Sequence, residues 1–128
     1  MDKRAHALRI WTVVQKDSER HALRTWFRLD LLTEAELRNA FETYRSVPQE
    51  RGLPSAPKHP VQYMPEADRP QPRKDVERER GMAAFFGRLR PCTVFDWKFI
   101  ALGHNTVRGA AGAAVLNAEL MHSEGLLD

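Results

Sequence analysis

Residues 22–31 alternate in polarity. Leu23, Thr25, Phe27, Leu29 and Leu31 fall on one side, and Arg24, Trp26, Arg28 and Asp30 on the other. A period of two over ten residues predicts a strand with one buried face. Immediately afterwards Thr33-Glu34-Ala35-Glu36 matches a capping box: the Thr33 hydroxyl can accept from the third helical N–H while Glu36 reaches back. Leu37, Ala40, Phe41 and Tyr44 then recur at helical spacing, which predicts a helix from Glu34 to Arg45 that ends before Pro48. Upstream, Ile10 to Val14 is a short β-prone run in a segment, 1–20, that carries no clear assignment.

Two further apolar runs, Met82 to Leu89 and Val94 to Leu102, predict strands joined as a hairpin, with Pro91 and Cys92 in the connection. Phe95, Trp97 and Phe99 share a face, opposite Asp96 and Lys98, and read as core or dimer interface rather than a base-stacking platform. From Asn105 the chain becomes alanine-rich, which predicts a helix stopping near Gly125. Its first half has little side-chain bulk and permits close approach of another element or a ligand. The glycines of Arg108-Gly109-Ala110-Ala111-Gly112 read as packing residues.

Seven of the eight prolines lie between Pro48 and Pro72, which predicts a loop there, excluding regular helix and central strand. Its apolar residues Leu53, Val61, Tyr63 and Met64 imply that the loop packs against something. Residues 73–80 carry both charge signs densely and read as a solvated turn. The order β, α, long loop, β, β, α predicts an α+β fold with an antiparallel or mixed sheet.

Composition narrows the function classes. The 128 residues suit one domain or part of a larger one; 42% hydrophobic and 29% charged residues argue against disorder. Lysine and arginine number 20 against 17 acidic residues, an excess too small to argue for nucleic acid. Cys92 is the one cysteine, so no intramolecular disulfide forms. No run approaches the ~20 apolar residues of a membrane span, and Met1 to His6 leads into no signal-peptide core. The expectation is a soluble cytoplasmic protein without membrane or nucleic-acid partners. The five histidines and Cys92 show no metal spacing. His104 can pair with a backbone group. Arg69, Arg73, Lys74, Arg78 and Arg80 can contact phosphate, but Asp68, Asp75, Glu77 and Glu79 interleave with them, as in a solvated charged loop.

Several stretches are more specific. Leu53-Pro54-Ser55-Ala56-Pro57 leads to Asp68-Arg69-Pro70-Gln71-Pro72-Arg73; Gly81-Met82 precedes Gly87-Arg88-Leu89-Arg90; then Leu102-Gly103-His104-Asn105-Thr106-Val107-Arg108-Gly109-Ala110-Ala111-Gly112 runs on to Leu116-Asn117-Ala118-Glu119-Leu120. In this order and spacing the series resembles the C-terminal part of the aspartate-semialdehyde dehydrogenases of the archaeal and fungal type, to which an archaeal malonyl-CoA reductase is related.

The resemblance implies a semialdehyde-dehydrogenase dimerisation domain. It also implies phosphorylating aldehyde oxidation with NADP through a cysteine acyl-enzyme, in the synthesis of lysine, threonine, methionine and isoleucine. Residues 21–104 would form a partial dimerisation and catalytic domain, and residues 105–125 a helix that packs on a Rossmann domain. His21, twelve positions before Thr33, stands nearest to the proton-transferring histidine, and imidazole suits that task. It also reads as a surface histidine at a strand start, since Ser18-Glu19-Arg20 replaces the expected glycine turn and Val14 stands where an arginine is expected. Asn105 and Thr106 match the motif beside the nicotinamide; Asn105 equally suits a helix cap.

The chain departs from the resemblance in having no glycine-rich dinucleotide turn between a strand and a helix, and in the setting of Cys92 between Pro91 and Thr93. The expectation is therefore a C-terminal fragment, inactive alone, acting as a homodimer or with a complementing Rossmann-domain fragment. The alternatives are a non-enzymatic dimerisation module and a malonyl-CoA-reductase-like fragment. On this expectation the small-residue face of residues 107–118 lacks its usual neighbour.

Overall fold

A computed structural model describes residues 22–27 (backbone), 32–94 and 96–127. Four strands form one sheet in the order β1-β4-β3-β2, where β1 is Ala22–Phe27, β2 Val61–Met64, β3 Ala84–Pro91 and β4 Trp97–Gly103. β3 and β4 are an antiparallel hairpin, Ala84 opposite Gly103 and Pro91 opposite Trp97; β1 pairs antiparallel with β4, Ala22 opposite Leu102. β2 runs parallel to β3, Val61 opposite Ala84, so the sheet is mixed. The fold is α+β, as the element order predicts. His21, Ile10–Val14, Leu29, Leu31 and Phe95 lie outside the described residues.

α1 spans Glu34–Thr43, and its capping box is formed: Glu36 N–H donates to Thr33 Oγ1 at 3.3 Å, and Thr33 N–H donates to Glu36 Oε2 at 2.8 Å. The helix lays Leu37 and Phe41 on one face of the sheet, against Leu89, Phe99 and Phe86. The Phe41 and Phe86 rings stack at 4.6 Å, and Phe99 meets both edge-on. Burying Leu37 alone is worth about 2 kcal/mol. Ala40 and Tyr44, expected on that stripe, are exposed; α1 ends two residues early, and Tyr44 already has extended backbone.

The other face buries Met64, Ala83, Phe85 and Leu102. Strict alternation along β3 would put Leu89 on this face with Phe85. A bulge between Gly87 and Arg90, with Arg88 at φ 55°, reverses the parity and turns Leu89 towards α1.

The proline-rich segment is more regular than its composition suggests. It contains β2, the helical turns α2 (Val47–Glu50) and α3 (Pro72–Asp75), and buried Leu53 and Met64. β2 tolerates neighbouring prolines because it is an edge strand. The charged stretch 73–80 also differs from a solvated turn. Asp75 is fully buried, bonded by Arg69 Nε at 2.7 Å, Arg69 Nη2 and the Gln71 N–H at 2.7 Å.

After β4 come a wide π-helical turn, Val107–Ala111, and α4, Gly112–Ser123. Leu116 packs on Leu53 and Met82. Glu119 accepts from Ser55 N–H at 2.9 Å and Ser55 Oγ at 2.7 Å, and Arg51 reaches Ser123 and Glu124. Part of the small-residue face therefore has a neighbour in this chain. A Cβ on Gly112 would lie 2.4 Å from Met82 Sδ. Ala111, Ala114, Val115 and Ala118 remain exposed.

Candidate functional site at one end of the sheet

The register gathers several segments at one sheet end. β1 opens opposite Leu102, β4 closes at Gly103, and β2 and β3 both begin there. The turn leaving β4, His104-Asn105-Thr106, stands at this end and opens the π-turn.

The turn is held by His104. Val107 N–H donates to His104 Nδ1 at 3.1 Å, and Gly109 N–H donates to the His104 carbonyl at 3.0 Å. The other ring nitrogen, Nε2, lies 3.3 Å from Glu77 Oε1. An amide proton can bond only an unprotonated ring nitrogen, so the proton sits on Nε2 and faces the carboxylate. Gly81, at φ 72°, makes room: a Cβ there would be 3.2 Å from both the imidazole Cδ2 and Val107 Cβ.

Asn105 and Thr106 are exposed at the start of the turn. The cap expected of Asn105 is supplied by the His104 ring, because the π-turn brings Nδ1 under the first amide. Among the described residues neither Asn105 nor Thr106 caps the helix with its side chain. The Asn105 Oδ1 lies over Gly109, 3.5 Å from where a Cβ would stand. An exposed carboxamide and hydroxyl at a helix start fit one end of a polar ligand such as the carboxamide of a nicotinamide. Sequence reasoning placed His104 on a backbone group but missed Glu77 and the cap. The three-residue spacing from His104 to Val107, typical of side-chain caps, is the signal for it.

A separate open cleft of about 760 Å³ is lined by Arg45, Gln49, Leu53, Lys58, Glu79 and Arg80 among others, and includes neither Asn105 nor Thr106. Its charges are of both signs, and Arg80 is engaged with the Pro54 carbonyl. Cys92 is partly buried in the β3–β4 connection. Among the described residues, no three or more His, Cys, Asp or Glu residues come together as a metal site. No helix among them is long and apolar enough to cross a membrane.

A family profile described as "Semialdehyde dehydrogenase, dimerisation domain" matches residues 19–108. The chain belongs to the semialdehyde dehydrogenase family. The chain is 48% identical over 89 residues to an aspartate-semialdehyde dehydrogenase of Methanothermobacter thermautotrophicus, covering 68% of this chain and 26% of that protein. It is 41% identical over 108 residues to the enzyme of that name from Archaeoglobus fulgidus, covering 84% of this chain and 30% of the relative. The crystal structure of aspartate-semialdehyde dehydrogenase with NADP from Candida albicans superposes with a TM-score of 0.74 at 30% identity, over 83% of this chain and 30% of that one. The chain thus spans between a quarter and a third of the length of these relatives.

Proposed function

We propose that this chain is the dimerisation and partial active-site part of an NADP-dependent aspartate-semialdehyde dehydrogenase, acting as a homodimer or with a complementing Rossmann-domain part. The observation that carries this reading is the sheet end where β1 opens beside the close of β4. Asn105 and Thr106 follow β4 there, and His21 precedes Ala22 directly in the chain. NADP, when bound, supplies the hydride acceptor. Asn105 would hold the carboxamide of its nicotinamide ring, Thr106 would bound the same pocket, and His21 would move the proton. The described residues include no glycine-rich turn between a strand and a helix, so the pyrophosphate would be held by the complementing part.

A direct test mixes this chain with a truncated Methanothermobacter relative lacking the matched region, and follows NADPH formation from aspartate semialdehyde and phosphate. Activity only in the mixture is expected; none at any ratio overturns the enzymatic reading. Sedimentation checks the assembly, and a monomer at all concentrations contradicts the homodimer.

A second reading, a dimerisation module without chemistry of its own, is favoured by the place of Cys92 between β3 and β4, away from the end bearing Asn105. Under it the chain dimerises and the mixture stays inactive.

A further inference from the structure

We propose that His104 is the positioning residue of the Asn105–Thr106 turn. As the neutral Nε2–H tautomer, oriented by Glu77, it caps the Val107 amide and sets the backbone on which the two cofactor-contacting side chains stand. The choice of these two residues rests on the reading given above; the cap itself does not.

The geometry comes from two separate segments. His104 lies at the end of β4 and uses both of its acceptors on the turn: Nδ1 takes the Val107 N–H and the main-chain oxygen takes the Gly109 N–H. Glu77, ahead of the Arg78–Gly81 turn, places a carboxylate oxygen 3.3 Å from Nε2, the nitrogen left to carry the proton once Nδ1 accepts from Val107. Gly81, left-handed at φ 72°, leaves its side-chain space to the edge of the ring.

The turn's start explains why a side chain is needed. Val107 is its first residue, and like the first amides of any helix its N–H has no main-chain acceptor, while the i to i+5 bonds begin with Gly109 to His104. The imidazole satisfies it and frees Asn105 from capping. A residue that satisfies Val107 from position 104 therefore decides where the carboxamide of Asn105 stands, although it touches no ligand itself.

The test compares His104→Asn with His104→Gln in the 128-residue chain. Asparagine places Oδ1 where Nδ1 stands, whereas glutamine carries its amide one bond further out, nearer the position of Nε2. Histidine ring ¹⁵N spectra of the unsubstituted chain are expected to show protonated Nε2 and bare Nδ1. Amide exchange at Val107 should accelerate about tenfold in His104→Gln and stay near the original rate in His104→Asn. The thermal midpoint of His104→Gln should fall below that of His104→Asn, since both lose the ring packing but only glutamine also loses the cap. A protonated Nδ1, or equal Val107 exchange in the two variants, overturns the proposal.

NADP titrated against the amide signals of Asn105 and Thr106, with this chain mixed with the truncated Methanothermobacter relative that would hold the pyrophosphate, separates the two claims. A response in the unsubstituted chain that His104→Asn keeps and His104→Gln loses supports both. No response in the unsubstituted chain overturns the cofactor contact and leaves the cap to be judged by Val107 exchange alone.

Discussion

Arg69 grips the buried carboxylate of Asp75 at two points, with Nε and Nη2 directed at separate oxygens. Arg78 approaches the same carboxylate at 3.7 Å. The pair ties the loop after β2 to α3, above the face of the sheet that buries Phe85. A carboxylate without water contact persists only because these donors replace its hydration.

Replacing Asp75 with alanine strands the Arg69 guanidinium and the Gln71 N–H. The expected loss is about 3 kcal/mol, the low end for breaking a buried pair because Arg69 keeps some solvent. Urea unfolding checks it; a midpoint within error of the unsubstituted protein contradicts the assignment.

The same pair sets an acid dependence. Hydrogen bonding from Arg69 holds the Asp75 carboxyl below the usual carboxylate range, against the opposing effect of burial. Its folded-state pKa is depressed, so its stabilisation is complete above the unfolded value near 3.8 and is lost as pH falls through the lower folded value. Urea midpoints of the unsubstituted protein and Asp75→Asn should differ by a constant amount from pH 7 to about 5 and converge below about 4. A gap that closes near neutrality points to another group.

Gly87→Ala should be among the most damaging single-methyl additions. A Cβ there would lie 2.3 Å from the Arg69 carbonyl and 2.8 Å from Pro70 Cδ, where the loop crosses β3. Main chain cannot yield as a side-chain tip does, so a cost of about 3 kcal/mol is expected. Thermal unfolding measures it, and an unchanged midpoint shows that the loop does not cross there.

Glu119→Ala removes the acceptor of two bonds from Ser55. The expected cost is about 1–2 kcal/mol, with faster amide exchange along α4. A double-mutant cycle with Ser55→Ala, which removes the hydroxyl donor and keeps the N–H, should show coupling; simple additivity would mean that the hydroxyl bond contributes nothing.

Asn105→Ala should leave stability within about 0.5 kcal/mol, because this exposed side chain does not cap the helix. In the complemented assembly it should raise the KM for NADP several-fold. The reverse pattern, a lower unfolding midpoint with NADP kinetics untouched, would return Asn105 to a structural role.

Much of this architecture was legible along the chain. Thr33 and Glu36 announce α1 because a capping box needs only neighbours three residues apart. The β3–β4 hairpin follows from two apolar runs and the final helix from its alanine-rich composition, and the stretch through Asn105 and Thr106 marks a candidate site by its residues alone. The tertiary structure decided the rest. β2 exists because β3 offers an edge to residues amid prolines. Leu89 faces α1 because a bulge at Arg88 reverses a pattern that the sequence leaves unbroken. Asp75 is buried because the loop just before it passes over Gly87, distant in the chain, and brings Arg69 to the carboxylate. His104 caps Val107 because Glu77 and Gly81 close on its ring from another segment. Periodicity and capping are interactions along the chain, so a sequence displays them. Burial, bulge parity and ring orientation are settled by segments that meet only when the chain folds.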